Sequence, residues 1–350
     1  MSLEQQHRSI RLATALSESD HVALRLVGDE AFDLLDALCP ADLYVRDGQM
    51  MHTLLLDEQA HPLADVYLCR DDEDFIVLSE GPPADALIRH LREHAPRSLD
   101  VDIEDLGQSH RLLSLHGPWA WELMSSLAGP GVLGLPYLSF YHEEGWTCFR
   151  AGKTGEFGYD LLVPRERADA LRDELLERGA PLDLGVVGRE ALEQCALENW
   201  FFNIHREGRG DVTPLELQLQ WRVSYKKDYV GSAALLRRRD EGARARLTCV
   251  VSAQELAPGD SVTADGRPVG AIVNAGYSSV RGDWVALALL GREHAHAGLD
   301  HLRVGASGEH AIRTVSPPVI DNRSLFINLQ KHSYRTREEH SFPPLHGRAI

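Results

Sequence analysis

The alternation of apolar and polar positions predicts a chain built from short strands and helices. Residues 22–27 (VALRLV) read as a strand, and Gly28 and Asp29 open an amphipathic helix, AFDLLDALC, that ends at Pro40. Residues 51–56 (MHTLLL) and 63–69 (LADVYLC) read as two strands around the polar turn DEQAHP, and 74–78 (DFIVL) as a third. GPPADALIRHLREH then carries apolar residues at helical spacing behind a proline start. The texture recurs. LLSLHGP leads into the helix WAWELMSSL, and WTCFRAG and the strand YDLLVP lead into the helix RERADALRDELLERG; 186–198 form another helix. From about 247 the pattern changes to short β-like runs (LTCVVS, PVGAIVN, WVALALL, IRTVS) broken by Gly, Asp and Asn, the signature of a small antiparallel barrel or sandwich. The charged stretch LLRRRDEGARAR, 235–246, reads as a surface linker between the two textures, and 321–350 as a polar extension, packed on another subunit or loose.

Composition narrows the class. The chain has 350 residues with 53 acidic and 36 basic side chains, a formal net charge of −17. Such a chain does not coat a phosphate backbone, which excludes non-specific nucleic-acid binding. Hydrophobic content of 43% with 25% charged residues is that of a folded protein. The N-terminal residues show no leader pattern, no apolar run approaches a membrane span, and five scattered cysteines without a CxxC pair suit reduced thiols. The expectation is a cytoplasmic protein without membrane contact. Only four lysines occur, Lys153, Lys226, Lys227 and Lys331, so a lysine inside a motif attracts notice.

Four motifs fail on context. GPGVLG at 129–134 has dinucleotide-loop spacing but follows a helical segment and meets Pro136. GKT at 152–154 lacks the earlier glycine of a phosphate loop, Thr147 standing there. His294, His296 and His301 read as a solvated loop rather than a metal site, and RDDED (70–74) as a turn. No metal is expected.

Five segments carry a joint signal: LLSLHGPWA, RAGKTGEFGYDLLVP, LGVVGREALEQCALE, TPLELQLQW with KKDYVGSAAL, and GRPVGAIVNAGYSSVRGDWVALALL. In this order they resemble the motifs of the glycine-cleavage aminomethyltransferase (T-protein) superfamily of folate-dependent enzymes, which also includes dimethylsulfoniopropionate demethylase and aryl O-demethylases. The resemblance implies an α+β architecture: a discontinuous two-domain α/β folate-binding body (1–240), a C-terminal small antiparallel β-barrel (247–320) and the extension 321–350, in a cloverleaf arrangement around tetrahydrofolate. It implies that the carboxylate of the family's GYE tripeptide, here Asp160 beside Tyr159, pairs with the pterin's N–H donors, which suits a carboxylate's two acceptor oxygens. It also implies that Arg189 contacts the folate.

The departures are as informative. Where the family has "GGxIDDLIV", with its catalytic aspartate, this chain has AHPLADVYL: the first aspartate becomes Ala64 and the second survives as Asp65. Strand neighbours point to opposite faces, so Asp65 replaces it only through a slip or bulge. A family tyrosine in "YSGML" aligns with His52, a candidate acid–base group. The tyrosine of GYTGE becomes Lys153, placed to hold a substrate carboxylate or the folate's glutamate tail. These changes point to tetrahydrofolate-dependent methyl transfer from a small S-, O- or N-methyl donor, with His52 and Asp65 catalytic and Asp160, Arg189, Lys153 and Tyr159 binding the cofactor. The alternatives are a non-catalytic folate-binding accessory protein and an aminomethyltransferase of the glycine-cleavage type. The extension offers a route to oligomers.

Overall fold

The computed structural model describes residues 1–305 and 308–346. Three sheets organise it. The chain enters through the helix Leu3–Leu12 and the strand Thr14–Ser19, which belongs to a six-stranded sheet. It leaves that sheet at once. Val22–Val27 lies in a second, five-stranded antiparallel sheet with Met50–Leu56, Pro62–Asp71, Asp74–Glu80 and Asp102–Asp105. The chain then returns to the first sheet with His110–His116, Trp146–Phe149 and Gly158–Pro164. The body is thus discontinuous, its first nineteen residues and residues 110–186 sharing one sheet. A seven-stranded antiparallel sheet follows, from Ala245–Ser252 through Arg313–Val315, forming a nearly closed barrel.

The six- and five-stranded sheets each bury one face under helices and the other against one another, while the barrel packs its inner face on itself. In Pro62–Asp71, Ala64, Val66 and Leu68 pack under the helices Glu30–Leu38 and Ala84–Glu93, while Tyr67 and Cys69 face the six-stranded sheet. In Gly158–Pro164, Tyr159, Leu161 and Val163 join the core around Trp119 and the helix Arg165–Gly179.

One element is added to the reading of the sequence and two readings change. The N-terminal residues form a helix, closed at Ser2 by a capping box with Gln5, whose inward stripe is His7, Ile10 and Arg11. Hydrophobic periodicity misses it because two of its three buried residues are polar, and burial is compensated by partners distant in sequence. The stretch LLRRRDEGARAR is mainly the end of the helix Ser232–Glu241, its charges lying on the solvent face. The described part of the C-terminal extension packs on its own body: Tyr334 is 5% exposed and meets Trp119 edge-on at 5.9 Å, and Phe342 meets the same indole. A polar composition hid two aromatic anchors.

Candidate functional site

The discontinuity of the body creates the site. Where the chain crosses from the six-stranded to the five-stranded sheet, Asp20 and His21 sit between them and line a cavity of about 230 Å³. Its floor is one cross-strand row of the six-stranded sheet, Ser17, Ser114 and Asp160. Its opposite wall carries Tyr67 and Glu80, its rim Arg189 and Glu193 from the helix Arg189–Asn199, and its end Phe202 and Asn203.

Asp160 is buried and accepts a 2.5 Å hydrogen bond from the Ser114 hydroxyl directly across the ladder. Burial raises its pKa, and nearby His21 pulls the other way. Around it lie buried polar atoms with no partner in the protein: the Tyr67 hydroxyl, His21 Nδ1 and His116 Nδ1. Unpartnered buried polar atoms are costly, and several facing one cavity imply a polar ligand that satisfies them. The edge of a pterin, rich in both donors and acceptors, fits this set.

Lys153 projects from the loop between Trp146–Phe149 and Gly158–Pro164. Gly155 turns that loop at φ +80°, where a Cβ would lie 2.6 Å from the side chains of Asn199 and Asn322. The ammonium bonds Asp65 at 2.5 Å, Glu80 at 2.8 Å and the Phe202 carbonyl at 3.2 Å. Asp65 and Glu80 are directly opposed across their ladder, so a cation from the other sheet separates two carboxylates that would repel. Asp65 also receives Arg222 at 2.9 Å and His52 at 2.8 Å. Burial alone would raise the Asp65 pKa, but His52, Lys153 and Arg222 together hold it well below the usual carboxylate range. The His52 ring stacks on Tyr67, centroids 4.2 Å apart, and burial lowers its pKa.

Lys153, Asp160 and Arg189 therefore reach one cavity, and Asp65 with His52 stands behind Lys153. Arg189 is half exposed at the rim, bonded to Asp20 and Glu193, both at 2.7 Å. Tyr159 does not reach the cavity. It neighbours Asp160 in a strand, so it faces the opposite core, with the Arg150 guanidinium 4.5 Å from its ring centre. The same alternation revises the reading of Ala64. Position 64 faces the apolar helical side, and the ladder register shifts between Leu55 and Leu56, beside Leu63. Asp65 is the member of the pair turned toward Lys153, which lines the cavity. A carboxylate at 64 would lie in that apolar core, directly opposite Leu55 across the ladder.

Sequence reasoning missed Glu80, His21, Arg222, Ser114 and His116. Ser114 and His116 stand inside the motif LLSLHGPWA but nothing local marks them as cavity residues; Glu80, His21 and Arg222 lie outside the quoted motifs, and only the tertiary fold brings the five together. It also missed a second buried cluster. Arg11 bonds Glu198 at 2.5 Å, the Thr154 carbonyl at 2.5 Å and Asn322 at 3.0 Å. Glu198 accepts from Ser278 at 2.5 Å and contacts His7. Glu156 accepts from the backbone N–H groups of Arg323 and Ser324 at 2.9 and 2.8 Å. This hub ties the N-terminal helix, the TGE loop, the barrel and the extension together. Among the described residues His7, Cys195 and Glu198 form the one group with metal-ligand atoms within 4.8 Å, and the Arg11 guanidinium already occupies its carboxylate.

Comparison with known proteins settles the family. Residues 1–227 match the GCVT N-terminal domain, and residues 244–321 match the glycine cleavage T-protein C-terminal barrel domain. The chain belongs to the glycine-cleavage T-protein family. It is 29% identical over 333 residues to the aminomethyltransferase of Mycobacterium leprae, covering 90% of this chain and 88% of that one. It is 25% identical over 300 residues to the aminomethyltransferase of Thermotoga maritima, covering 83% and 82%. The crystal structure of the glycine cleavage system aminomethyltransferase T from Bartonella henselae superposes with a TM-score of 0.83 at 23% identity, over 92% of this chain and 90% of that one, a likeness of fold. Among the described residues no helix is long and apolar enough to cross a membrane.

Proposed function

We propose that the protein is a tetrahydrofolate-dependent one-carbon transferase acting on a small donor, with methyl transfer from an S-, O- or N-methyl substrate as its reaction. The observation that carries the folate assignment is Asp160 on the cavity floor, with Ser114 occupying one oxygen and three unpartnered polar atoms around it. When bound, the reduced folate supplies a nucleophilic nitrogen to receive the carbon unit.

The chain's own residues then have definable tasks. Asp160 accepts the pterin's parallel N–H donors, and its methylene-shorter side chain draws the ring toward the floor. Arg189, at the mouth, meets the folate's anionic tail by exchanging its solvent-exposed partner Asp20. Lys153 keeps its charge between two carboxylates; burial opposes this, but Asp65 and Glu80 raise its pKa. Asp65 is already engaged by Lys153, Arg222 and His52, and so acts as an electrostatic anchor rather than a free acid. This neutralised carboxylate favours methyl over aminomethyl transfer, because a cationic amine donor finds no free anion beside it. A second reading, aminomethyl transfer of the glycine-cleavage type, is supported by the names of the relatives and by Asp65 lying directly behind Lys153 at the cavity. The partition into 1–240, 247–320 and 321–350 follows the same reading.

The test is direct. Tetrahydrofolate should raise the thermal midpoint of the wild-type protein, and Asp160→Ala and Asp160→Asn should abolish or strongly weaken the shift. Incubation with tetrahydrofolate and a panel of methyl and aminomethyl donors should yield 5-methyltetrahydrofolate. Formation of 5,10-methylenetetrahydrofolate instead selects the second reading, and no shift at millimolar tetrahydrofolate refutes both.

A further inference from the structure

We propose that His21, oriented by Glu80, is the acid–base residue of the cavity and presents Nδ1–H to the bound ligand. The claim rests on the folate reading only for the identity of that ligand. His21 Nε2 lies 2.7 Å from Glu80 Oε1, while Nδ1 is buried, has no partner in the protein and belongs to a residue lining the cavity. A carboxylate on one ring nitrogen fixes tautomer and orientation and leaves the other nitrogen to do chemistry.

The alternatives in the same space are committed elsewhere. His52 is engaged with Asp65 and Arg222 behind Lys153. Lys153 is clamped between two carboxylates. His116 is neutral, its pKa pushed down to about 4 by burial and by the neighbouring His21, and its Nε2 meets Ser17 at 3.1 Å. His21 alone among these combines an orienting carboxylate with a free, cavity-facing nitrogen.

The charges facing it agree. Glu80 comes from the adjacent strand end, Asp160 from the floor and Lys153 from the loop across the cavity, with His116 beside the floor. Burial alone would lower the His21 pKa, but the hydrogen bond and charge of Glu80, aided by Asp160, raise it despite Lys153. The proton step balances between this dyad and solvent. As the donor's heteroatom–carbon bond breaks and the carbon bonds the accepting nitrogen, imidazolium Nδ1–H would pass its proton to the electron pair left on the heteroatom, and the proton of the accepting nitrogen would leave to solvent. The ring is left neutral with Nε2–H still on Glu80, and solvent restores the Nδ1 proton after product leaves. Glu80 is the positioning residue, and through Lys153 it is tied to Asp65.

Titration of ¹⁵N-histidine-labelled protein by NMR, with the His21 signals assigned by their loss in His21→Asn, tests the dyad without any donor. The wild-type midpoint should lie above the ordinary 6.5, and Glu80→Gln should lower it by about one unit or more. Tetrahydrofolate should shift the His21 Nδ1 resonance. Its affinity should weaken several-fold as pH rises through the His21 midpoint, since the donating form is lost, whereas the His21→Asn protein should bind more weakly and show little such dependence. A wild-type midpoint below 6.5, an unchanged midpoint in Glu80→Gln, or tetrahydrofolate binding that leaves the His21 signals unmoved would overturn the proposal. Absence of any tetrahydrofolate binding would instead refute the folate reading, with the titrations still judging the dyad.

Discussion

Replacing Lys153 by methionine keeps most of the side-chain stem and removes the charge between Asp65 and Glu80. These carboxylates are directly opposed on one ladder and bonded to the ammonium at 2.5 and 2.8 Å. The lysine is only 13% exposed, so solvent screens little of the interaction. Breaking a buried pair by removing one partner costs about 3–5 kcal/mol, because the surviving charge stays uncompensated. Here Arg222 and His52 still hold Asp65, and His21 still holds Glu80, which places the loss near the lower bound, about 3 kcal/mol. For a chain of 350 residues the entropy of unfolding is about 0.7 kcal/mol/K, so the midpoint should fall by roughly 4 °C.

The pH dependence sharpens the test. Lys153 has a raised pKa, so its contribution is present below its ordinary 10.5 and lost only at higher pH. Asp65 and Glu80 have lowered pKa values, so theirs is present above 3.8 and 4.5 and lost as pH falls below those values. The wild-type advantage over Lys153→Met should therefore be full between about pH 5 and 10 and shrink toward pH 3–4. Calorimetry at pH 7 and pH 4 checks it. A midpoint loss under about 1 °C at pH 7, or a gap unchanged at pH 4, would show that Lys153 is not what holds these carboxylates together.

Three further outcomes are expected. Arg11→Met should cost about 3–5 kcal/mol by stranding Glu198, measured by urea denaturation at pH 7. The Glu198 pKa is held at about 2 against an ordinary 4.5, so this ion pair's contribution should be full above pH 4.5 and be lost as pH falls toward 2. Tyr334→Ala should cost about 3–5 kcal/mol by opening the core beside Trp119, seen as a lower midpoint and a red-shifted tryptophan emission. Arg189→Gln should change stability by less than about 1 kcal/mol, because its ion pairs are half exposed. Its effect should appear instead as weaker tetrahydrofolate binding at low ionic strength.

The sequence by itself determined the elements whose burial is apolar and periodic, as in Val22–Val27, Asp74–Glu80 and Arg165–Gly179. It also carried Asp160 and Lys153 inside legible motifs, and the family with them. These features are local: hydrophobic spacing and turn chemistry are written within ten or fifteen residues. It did not determine which way a residue faced where polar groups are buried. His7 and Arg11 look like solvent-facing residues until Glu198, nearly two hundred positions away, makes their burial affordable. The tertiary structure alone decided that Tyr159 turns into the core while Asp160 turns into the cavity, and that Asp65 rather than position 64 faces Lys153. It alone brought His21 to Glu80 at the crossover between two sheets. The reason is physical. A strand's two faces differ by one residue of register, and register is set by partners across the ladder, which no local pattern encodes.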